Sequence, residues 1–146
     1  MIVYTSRVDR ALEFGRAKHG GSLDDEGMVY FEAHCFVVAD LLSLVSDDED
    51  LIIAGLLHDV LEDTDTIYDE LVKVFGLRVA GLVLEVTHEG QKDHKGFYFP
   101  HLKTKDGIVL KFADRLSNLS RMGSWSKSRQ LHYLGKSKFW KSELKK

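Results

Sequence analysis

Leu51-Ile52-Ile53-Ala54-Gly55-Leu56-Leu57-His58-Asp59-Val60-Leu61-Glu62-Asp63 is the stretch on which the reading of this chain turns. Its apolar first half predicts a buried helix. The second half turns abruptly polar. His58 and Glu62 are four residues apart, as are Asp59 and Asp63, while Asp59 and Glu62 are three apart. If the helix continues through the run, these four side chains crowd onto one edge. Three carboxylates and an imidazole beside an apolar segment are costly to bury unless something cationic offsets them. A divalent metal ion meets that need, and a metal with nearby carboxylates left over from ligation points to hydrolysis.

Outward from this stretch the pattern is helix after helix, with one proline (Pro100) and little strand-type alternation. A first helix is expected over Ser6 to Lys18, with Val8, Ala11, Leu12 and Gly15 inward and Gly20-Gly21 as its stop. A polar loop, Ser22 to Gly27, leads to a second helix over Val29 to Leu44. Asp47 or Asp48 is placed to cap the third helix, which carries the polar run near its end. Thr66 is read as the cap of a fourth, with Ile67, Leu71, Val74 and Phe75 inward and Gly76 ending it. Leu77 to Val86 is apolar on several sides and is expected to be central. Gln91 to Thr104 reads as a loop containing Lys95 and Lys103. Asp106 is read as the cap of the next helix, whose apolar stripe is Ile108, Val109, Phe112, Leu116 and Leu119. A last helix starts near Ser126 and runs to the C-terminus. The expectation is a compact all-α bundle of roughly seven helices. Residues 1–146 are read as one domain, with its core over about 6–134 and the C-terminal helix reaching 146.

Composition agrees with a globular domain: 44% of residues are hydrophobic and 29% charged. A net charge of -3 argues against binding a nucleic-acid polymer. The basic end (Lys136, Lys138, Lys141, Lys145, Lys146) reads as a solvated helix terminus. One cysteine, Cys35, excludes an internal disulfide and suits a reducing compartment. No apolar run is long enough to span a membrane, and Met1 to Arg7 lacks a signal-peptide core, so a cytoplasmic location is expected.

A hydrolytic metal site needs several protein ligands and an open position. His58 and Asp59 supply two. His34, in Tyr30-Phe31-Glu32-Ala33-His34-Cys35-Phe36, and Asp114, in Ile108-Val109-Leu110-Lys111-Phe112-Ala113-Asp114-Arg115-Leu116, are lone polar groups in apolar settings. Taken singly, His34 reads equally as a satisfied core histidine, and Asp114 as the partner of Lys111 or Arg115. Their joint occurrence with the polar run makes the case for ligation. Glu62 and Asp63 read either as surface acids or as the spare carboxylates that steer water.

With these residues in view, the chain resembles the HD-domain metal-dependent phosphohydrolases, and among them the alarmone hydrolases of the Rel/Spo type and their small stand-alone members. The resemblance rests on Leu56-Leu57-His58-Asp59-Val60-Leu61-Glu62-Asp63-Thr64, on Lys111-Phe112-Ala113-Asp114-Arg115-Leu116-Ser117-Asn118-Leu119, and on Ala17-Lys18-His19. It implies that His34, His58, Asp59 and Asp114 ligate the metal, most often Mn2+ in the family, and that Glu62 and Asp63 are catalytic. It implies that Lys18 approaches the nucleotide. Asn118, one turn beyond Asp114, is placed to bond ribose or phosphate. Trp125 to Tyr133 is similar to a segment of the small animal-type enzymes, in which Arg129 would hold phosphate and Tyr133 would contact the sugar.

One departure stands out. Where the family has a basic stretch followed by Pro-Tyr-Ile-x-His-Pro, this chain reads Ser22-Leu23-Asp24-Asp25-Glu26-Gly27-Met28-Val29-Tyr30-Phe31-Glu32-Ala33-His34. Acids replace the bases, the prolines are missing, and Tyr30 stands one position farther from the histidine. Acidic side chains cannot make cation–π contact with a base and are expected to repel a polyphosphate. The leading expectation is a small stand-alone hydrolase, without synthetase or regulatory region, that removes the 3′-pyrophosphate of a guanosine-tetraphosphate-type alarmone. The alternatives are a broader nucleotide phosphohydrolase and a non-catalytic nucleotide-binding module on the same fold. The partner is a small-molecule nucleotide; the sequence does not give the oligomeric state.

Overall fold

The computed structural model describes residues 1–87 and 102–136, the last by its backbone only. Among them are eight α-helical segments and no strand beyond one isolated antiparallel bridge, Leu23 to Val29. The helices are α1 (Ser6–His19), α2 (Phe36–Ser43), α3 (Glu49–Leu57), α4 (Val60–Asp63), α5 (Tyr68–Phe75), α6 (Leu77–Val86), α7 (Lys105–Arg121) and α8 (Lys127–Lys136). A π turn, Phe31–Cys35, leads directly into α2, and a 3-10 turn, Met122–Ser124, follows α7.

The apolar run of the opening stretch is the centre. Leu51 through Leu57 are all buried, and α3 packs against α1, α2, α6 and α7. Each fully buried Leu or Ile contributes roughly 1.5–3 kcal/mol, so a helix enclosed on every side anchors the fold. Gly55 lets α2 come close: a Cβ there would lie 2.7 Å from Leu42 Cδ1 and 3.1 Å from Ala39 Cα. Asp48 caps α3 by accepting from the Asp50 and Leu51 amides. Thr5 caps α1 in the same way through the Val8 amide.

Several local expectations need correction. The second helix is not one α-helix from Val29, because its first turn is a π turn closed by the Phe36 amide on the Phe31 carbonyl. Thr66 does not cap α5; it is buried, and its hydroxyl lies 2.7 Å from that of Thr64. Ile67 occupies the cap position with no side-chain bond and is 62% exposed rather than inward. Thr104, not Asp106, caps α7, its hydroxyl accepting from the Gly107 amide. Asp106 is engaged by Arg78 instead, at 2.7 Å. The expected apolar stripe of α7 does not face the core as a whole: Phe112 and Leu116 are exposed and Ile108, Val109 and Leu119 half-buried, while Leu110, Lys111, Ala113, Asp114, Arg115 and Ser117 are buried. Lys95, most of the 91–104 loop and the basic residues beyond Lys136 lie outside the described residues. No helix among the described residues is long and apolar enough to cross a membrane.

Candidate metal centre

The central helix does not run through the polar stretch. It stops at Leu57, and His58 and Asp59 form a turn before the short α4. The His58 ring helps end the helix, because its Nδ1 lies 2.7 Å from the Gly55 carbonyl, an acceptor that the next helical amide would otherwise use. Asp59 then sits at φ -100° and ψ -1°, a bridge conformation common at functional sites. The expected single helical edge for His58, Asp59, Glu62 and Asp63 is thus replaced by two elements. The turn holds His58 and Asp59 inward, while Glu62 and Asp63 ride on α4, both exposed.

The π turn brings in the third element. Tyr30 and His34 both reach the same point, and a turn with one additional residue accommodates the longer tyrosine-to-histidine spacing seen in the sequence. The fourth element is α7, whose buried polar face carries Asp114. Four ligand atoms converge. His34 Nε2 and His58 Nε2 are 3.1 Å apart. Asp59 Oδ2 lies 3.4 Å from His34 Nε2 and 3.1 Å from His58 Nε2. Asp114 Oδ1 lies 3.0 Å and 3.4 Å from the same two nitrogens. His34, His58 and Asp59 form a mutually close trio, which Asp114 joins across both imidazoles. Donors at right angles around an ion roughly 2.1 Å away stand about 3 Å apart, so the spacing suits a single metal.

Tautomers support the same reading. The Gly55 carbonyl can only accept, so His58 donates from Nδ1, and its Nε2 lone pair faces the cluster when the ring is neutral. His34 Nδ1 pairs with Ser117 Oγ at 2.9 Å, a hydroxyl able to accept from Nδ1 and so leave the Nε2 lone pair to the cluster. Two lone pairs and two carboxylates aimed at one buried point call for a cation. Without one, a proton takes that part: burial pushes the His58 pKa down, but the charges and hydrogen bonds of Asp59 and Asp114 raise it well above its ordinary value. Burial also opposes ionisation of Asp59 and Asp114, yet His58 and His34 for the first, and Lys111 and the imidazoles for the second, hold both below the usual carboxylate range.

Two further side chains support the site: Tyr30, which was not assigned from sequence, and Lys111, which was read there as a partner of Asp114 in place of ligation. Tyr30 donates its hydroxyl to Asp59 Oδ2 at 2.6 Å. Lys111, 2% exposed, places Nζ 3.1 Å from Asp114 Oδ2. Asp114 therefore does two things at once, pairing one oxygen with lysine and turning the other to the imidazoles. A lysine one turn before an acid in an otherwise apolar helix was the available signal. Arg115 does not pair with Asp114; its Nη1 reaches Tyr133 Oη at 3.1 Å. Asp63 lies close enough to this cluster for burial first, then the charges of Asp59 and Glu62, to raise its carboxyl to about 6.

A cavity of about 450 Å³ adjoins the cluster and is lined in part by Tyr30, Asn118, Arg129 and Tyr133. Asn118 links the two regions, its Nδ2 lying 3.4 Å from Asp114 Oδ1 and 2.9 Å from Tyr133 Oη. Arg129 stacks over Trp125, 3.8 Å from the ring centroid, and meets Asp25 at 2.5 Å. Three of the four sequence-named substrate contacts thus share one cavity. Lys18 does not join them; it is turned to Asp65 and Glu70 at 3.5 Å and 3.2 Å. Neither this cavity nor a larger one of about 730 Å³ between α6 and the start of α7 is lined by the four converging residues themselves, but only the smaller is walled by side chains bonded to them, Tyr30 to Asp59 and Asn118 to Asp114. Chemistry, not size, locates the site.

Comparison with known proteins gives the same picture. A sequence model of the family described as "HD domain" matches residues 11–95. The chain is 39% identical over 127 residues to a guanosine-3′,5′-bis(diphosphate) 3′-pyrophosphohydrolase of Aquifex aeolicus, covering 82% of this chain and 18% of that protein. The chain therefore spans less than a fifth of the length of that bacterial relative. It is 33% identical over 150 residues to the Danio rerio pyrophosphohydrolase MESH1, covering 92% of this chain and 80% of the relative. A solved structure reported under "A metazoan ortholog of SpoT hydrolyzes ppGpp and plays a role in starvation responses" superposes with a TM-score of 0.77 at 25% identity, over 94% of this chain and 85% of that one.

Proposed function

This chain belongs to the HD-domain family, and from that premise we propose that it is a metal-dependent hydrolase that removes the 3′-pyrophosphate of guanosine 3′,5′-bis(diphosphate). The observation that carries the reading is the convergence of His34, His58, Asp59 and Asp114 beside a cavity whose wall carries Asn118, Arg129 and Tyr133. Those four side chains would hold one divalent ion. A nitrogen and oxygen donor set without thiolate admits Mn2+, Fe2+, Zn2+ or Co2+, and the family resemblance favours Mn2+ among them. When bound, the ion supplies a Lewis acid and lowers the pKa of water at its open position.

The chain's own residues do the rest. The Gly55 carbonyl fixes His58 in the ligating tautomer, and Ser117, whose hydroxyl can accept from Nδ1, orients the His34 ring to suit it. Lys111 orients Asp114 from its outer oxygen, Oδ2, and Tyr30 donates to the cluster-facing Oδ2 of Asp59. Asp63, with its carboxyl near 6, is suited to accept the proton of the attacking water close to neutral pH, and Glu62 beside it keeps that pKa raised. Asn118 stands between Asp114 and Tyr133, where it can hold the ribose so that the 3′-phosphorus faces the ligand cluster. The acidic loop bears on binding differently from the sequence expectation. Asp24 and Asp25 pair with Arg121 and Arg129 rather than standing open to repel phosphate. A cytoplasmic setting and action as one hydrolase domain complete the reading.

The test is incubation of Mn2+-loaded protein with guanosine 3′,5′-bis(diphosphate) and a panel of 5′-nucleotides, with products separated by chromatography. Pyrophosphate and a guanosine 5′-diphosphate product are expected. Release of monophosphate from several 5′-nucleotides would instead make the chain a broader phosphohydrolase. Tight binding without turnover would make it a binding module.

A further inference from the structure

The cavity beside the metal ligands contains an arginine that neither the sequence reading nor the proposed chemistry uses. Arg121 stands at the end of α7, three residues past Asn118 and seven past Asp114. At 1.5 Å per residue it lies about 10 Å along the helix from the metal ligand. Its side chain is 20% exposed and lines the cavity. Its Nε is buried with no hydrogen-bond partner. A guanidinium has five N–H donors and Asp24 engages only Nη1, so donor capacity remains where the exposed part of the side chain meets the cavity.

Arg121 is also held in place. Asp24 Oδ2 lies 3.4 Å from Arg121 Nη1. The other Asp24 oxygen, Oδ1, accepts from the Glu26 and Met28 amides at 2.9 Å and 2.8 Å. The carboxylate is therefore fixed by its own loop and fixes the guanidinium in turn. Behind the same wall, Arg115 is 3% exposed, and its Nε and Nη2 are likewise buried without partners, while its Nη1 supports Tyr133. The cavity wall thus carries the Arg121 charge about 10 Å along α7 from Asp114, with the Arg115 charge buried behind it. The loop that would be the obvious source of such charge carries Asp24 and Asp25 instead.

We propose that Arg121, anchored by Asp24, holds the phosphate on the 5′ side of the nucleotide while the 3′ side faces the ligand cluster. The inference rests on the proposed function for the direction in which the nucleotide lies. A guanidinium suits this role because its planar fork meets phosphate oxygens with two parallel N–H bonds. Arg121 is a binding residue in this account and takes no part in bond breaking.

The experiment is calorimetric titration of the full chain, loaded with Mn2+, with two probes: guanosine 5′-diphosphate and guanosine 3′-monophosphate. Arg121→Gln is expected to weaken the 5′-diphosphate at least tenfold and to leave the 3′-monophosphate within twofold. Arg121→Lys, which keeps the charge but not the fork, is expected to recover part of the loss. Circular dichroism of each variant checks the fold. Equal loss of both probes would make Arg121 merely structural and overturn the proposal. So would unchanged 5′-diphosphate binding in Arg121→Gln, or no 5′-diphosphate binding by the unmodified chain. Turnover of guanosine 3′,5′-bis(diphosphate) is read separately: Arg121→Gln is expected to raise KM with kcat kept. If the unmodified chain binds the 5′-diphosphate through Arg121 yet hydrolyses nothing, the hydrolase reading fails and the phosphate site stands.

Discussion

Replacing Asp63 by Asn should make the metal-free protein more stable while removing most of its activity. The carboxyl is raised from 3.8 to about 6 by the burial of its surroundings and by Asp59 and Glu62. A carboxyl whose pKa is higher folded than unfolded disfavours the folded state once ionised. The cost is absent below about pH 4, where both states are protonated, and complete above about pH 6. At 1.36 kcal/mol per pKa unit the full cost at pH 8 is about 3 kcal/mol. Asp63 is an exposed residue, and solvent screening reduces the figure to about 1 kcal/mol. For a domain of this size that is a rise in Tm of about 3 °C for Asp63→Asn in chelator-treated protein at pH 8. The gain should fall to about half at pH 5. Saturating Mn2+ should also shrink it, since a dication a few ångströms away offsets the same repulsion. Scanning calorimetry at pH 5 and pH 8, with and without Mn2+, reads all four values. Turnover of the metal-loaded variant should drop at least about 100-fold, as for loss of a general base. Equal stability of the two metal-free proteins at pH 8, or a gain independent of pH, would refute the electrostatic account of this residue.

Other substitutions probe the ligand cluster and its support. His34→Ala should abolish Mn2+ binding in calorimetry and turnover together, because it removes one of four converging donors. Ser117→Ala should leave the fold intact but weaken Mn2+ roughly 10–100-fold, the usual consequence of losing the group that fixes a ligating imidazole. Gly55→Ala should lower stability in urea unfolding by about 1–3 kcal/mol, because the added methyl meets Leu42 and the Ala39 backbone. Chelation should lower the Tm, and Mn2+ at 100 times its Kd should restore about 2.7 kcal/mol.

The helices were legible where burial and punctuation agree, and the errors follow from where they part. The predicted α6 span coincides with the observed Leu77–Val86, and Gly76 ends α5 at φ 95°, a conformation that favours glycine. The four converging residues were legible because each is a polar group in or beside an apolar run that only a partner elsewhere can satisfy. What could not be read was how the chain bends to bring them together. Gly55's role appears only when His58 Nδ1 is seen on its carbonyl, and the end of α3 depends on that contact. The π turn showed in the sequence only as an unexplained extra residue between Tyr30 and His34.

The misreading of α7 is the most instructive of these, because it follows from a sound rule. Ile108, Val109, Phe112, Leu116 and Leu119 repeat with helical period, and periodicity assigns the apolar stripe to the core. The fold buries the opposite choice. Lys111, Asp114, Arg115 and Ser117 face inward, and Phe112 and Leu116 face out. Each buried polar group on that face has a task that solvent cannot perform: Lys111 balances Asp114, Ser117 orients the ring of His34, and Arg115 supports Tyr133. Desolvating them is tolerable only as an interlocked set, since removing one partner strands another. Local pattern and global fold conflict here, and such conflicts gather at functional sites. The polar face of α7 therefore argues for function independently of any resemblance, because a helix selected for stability alone would have turned the other way.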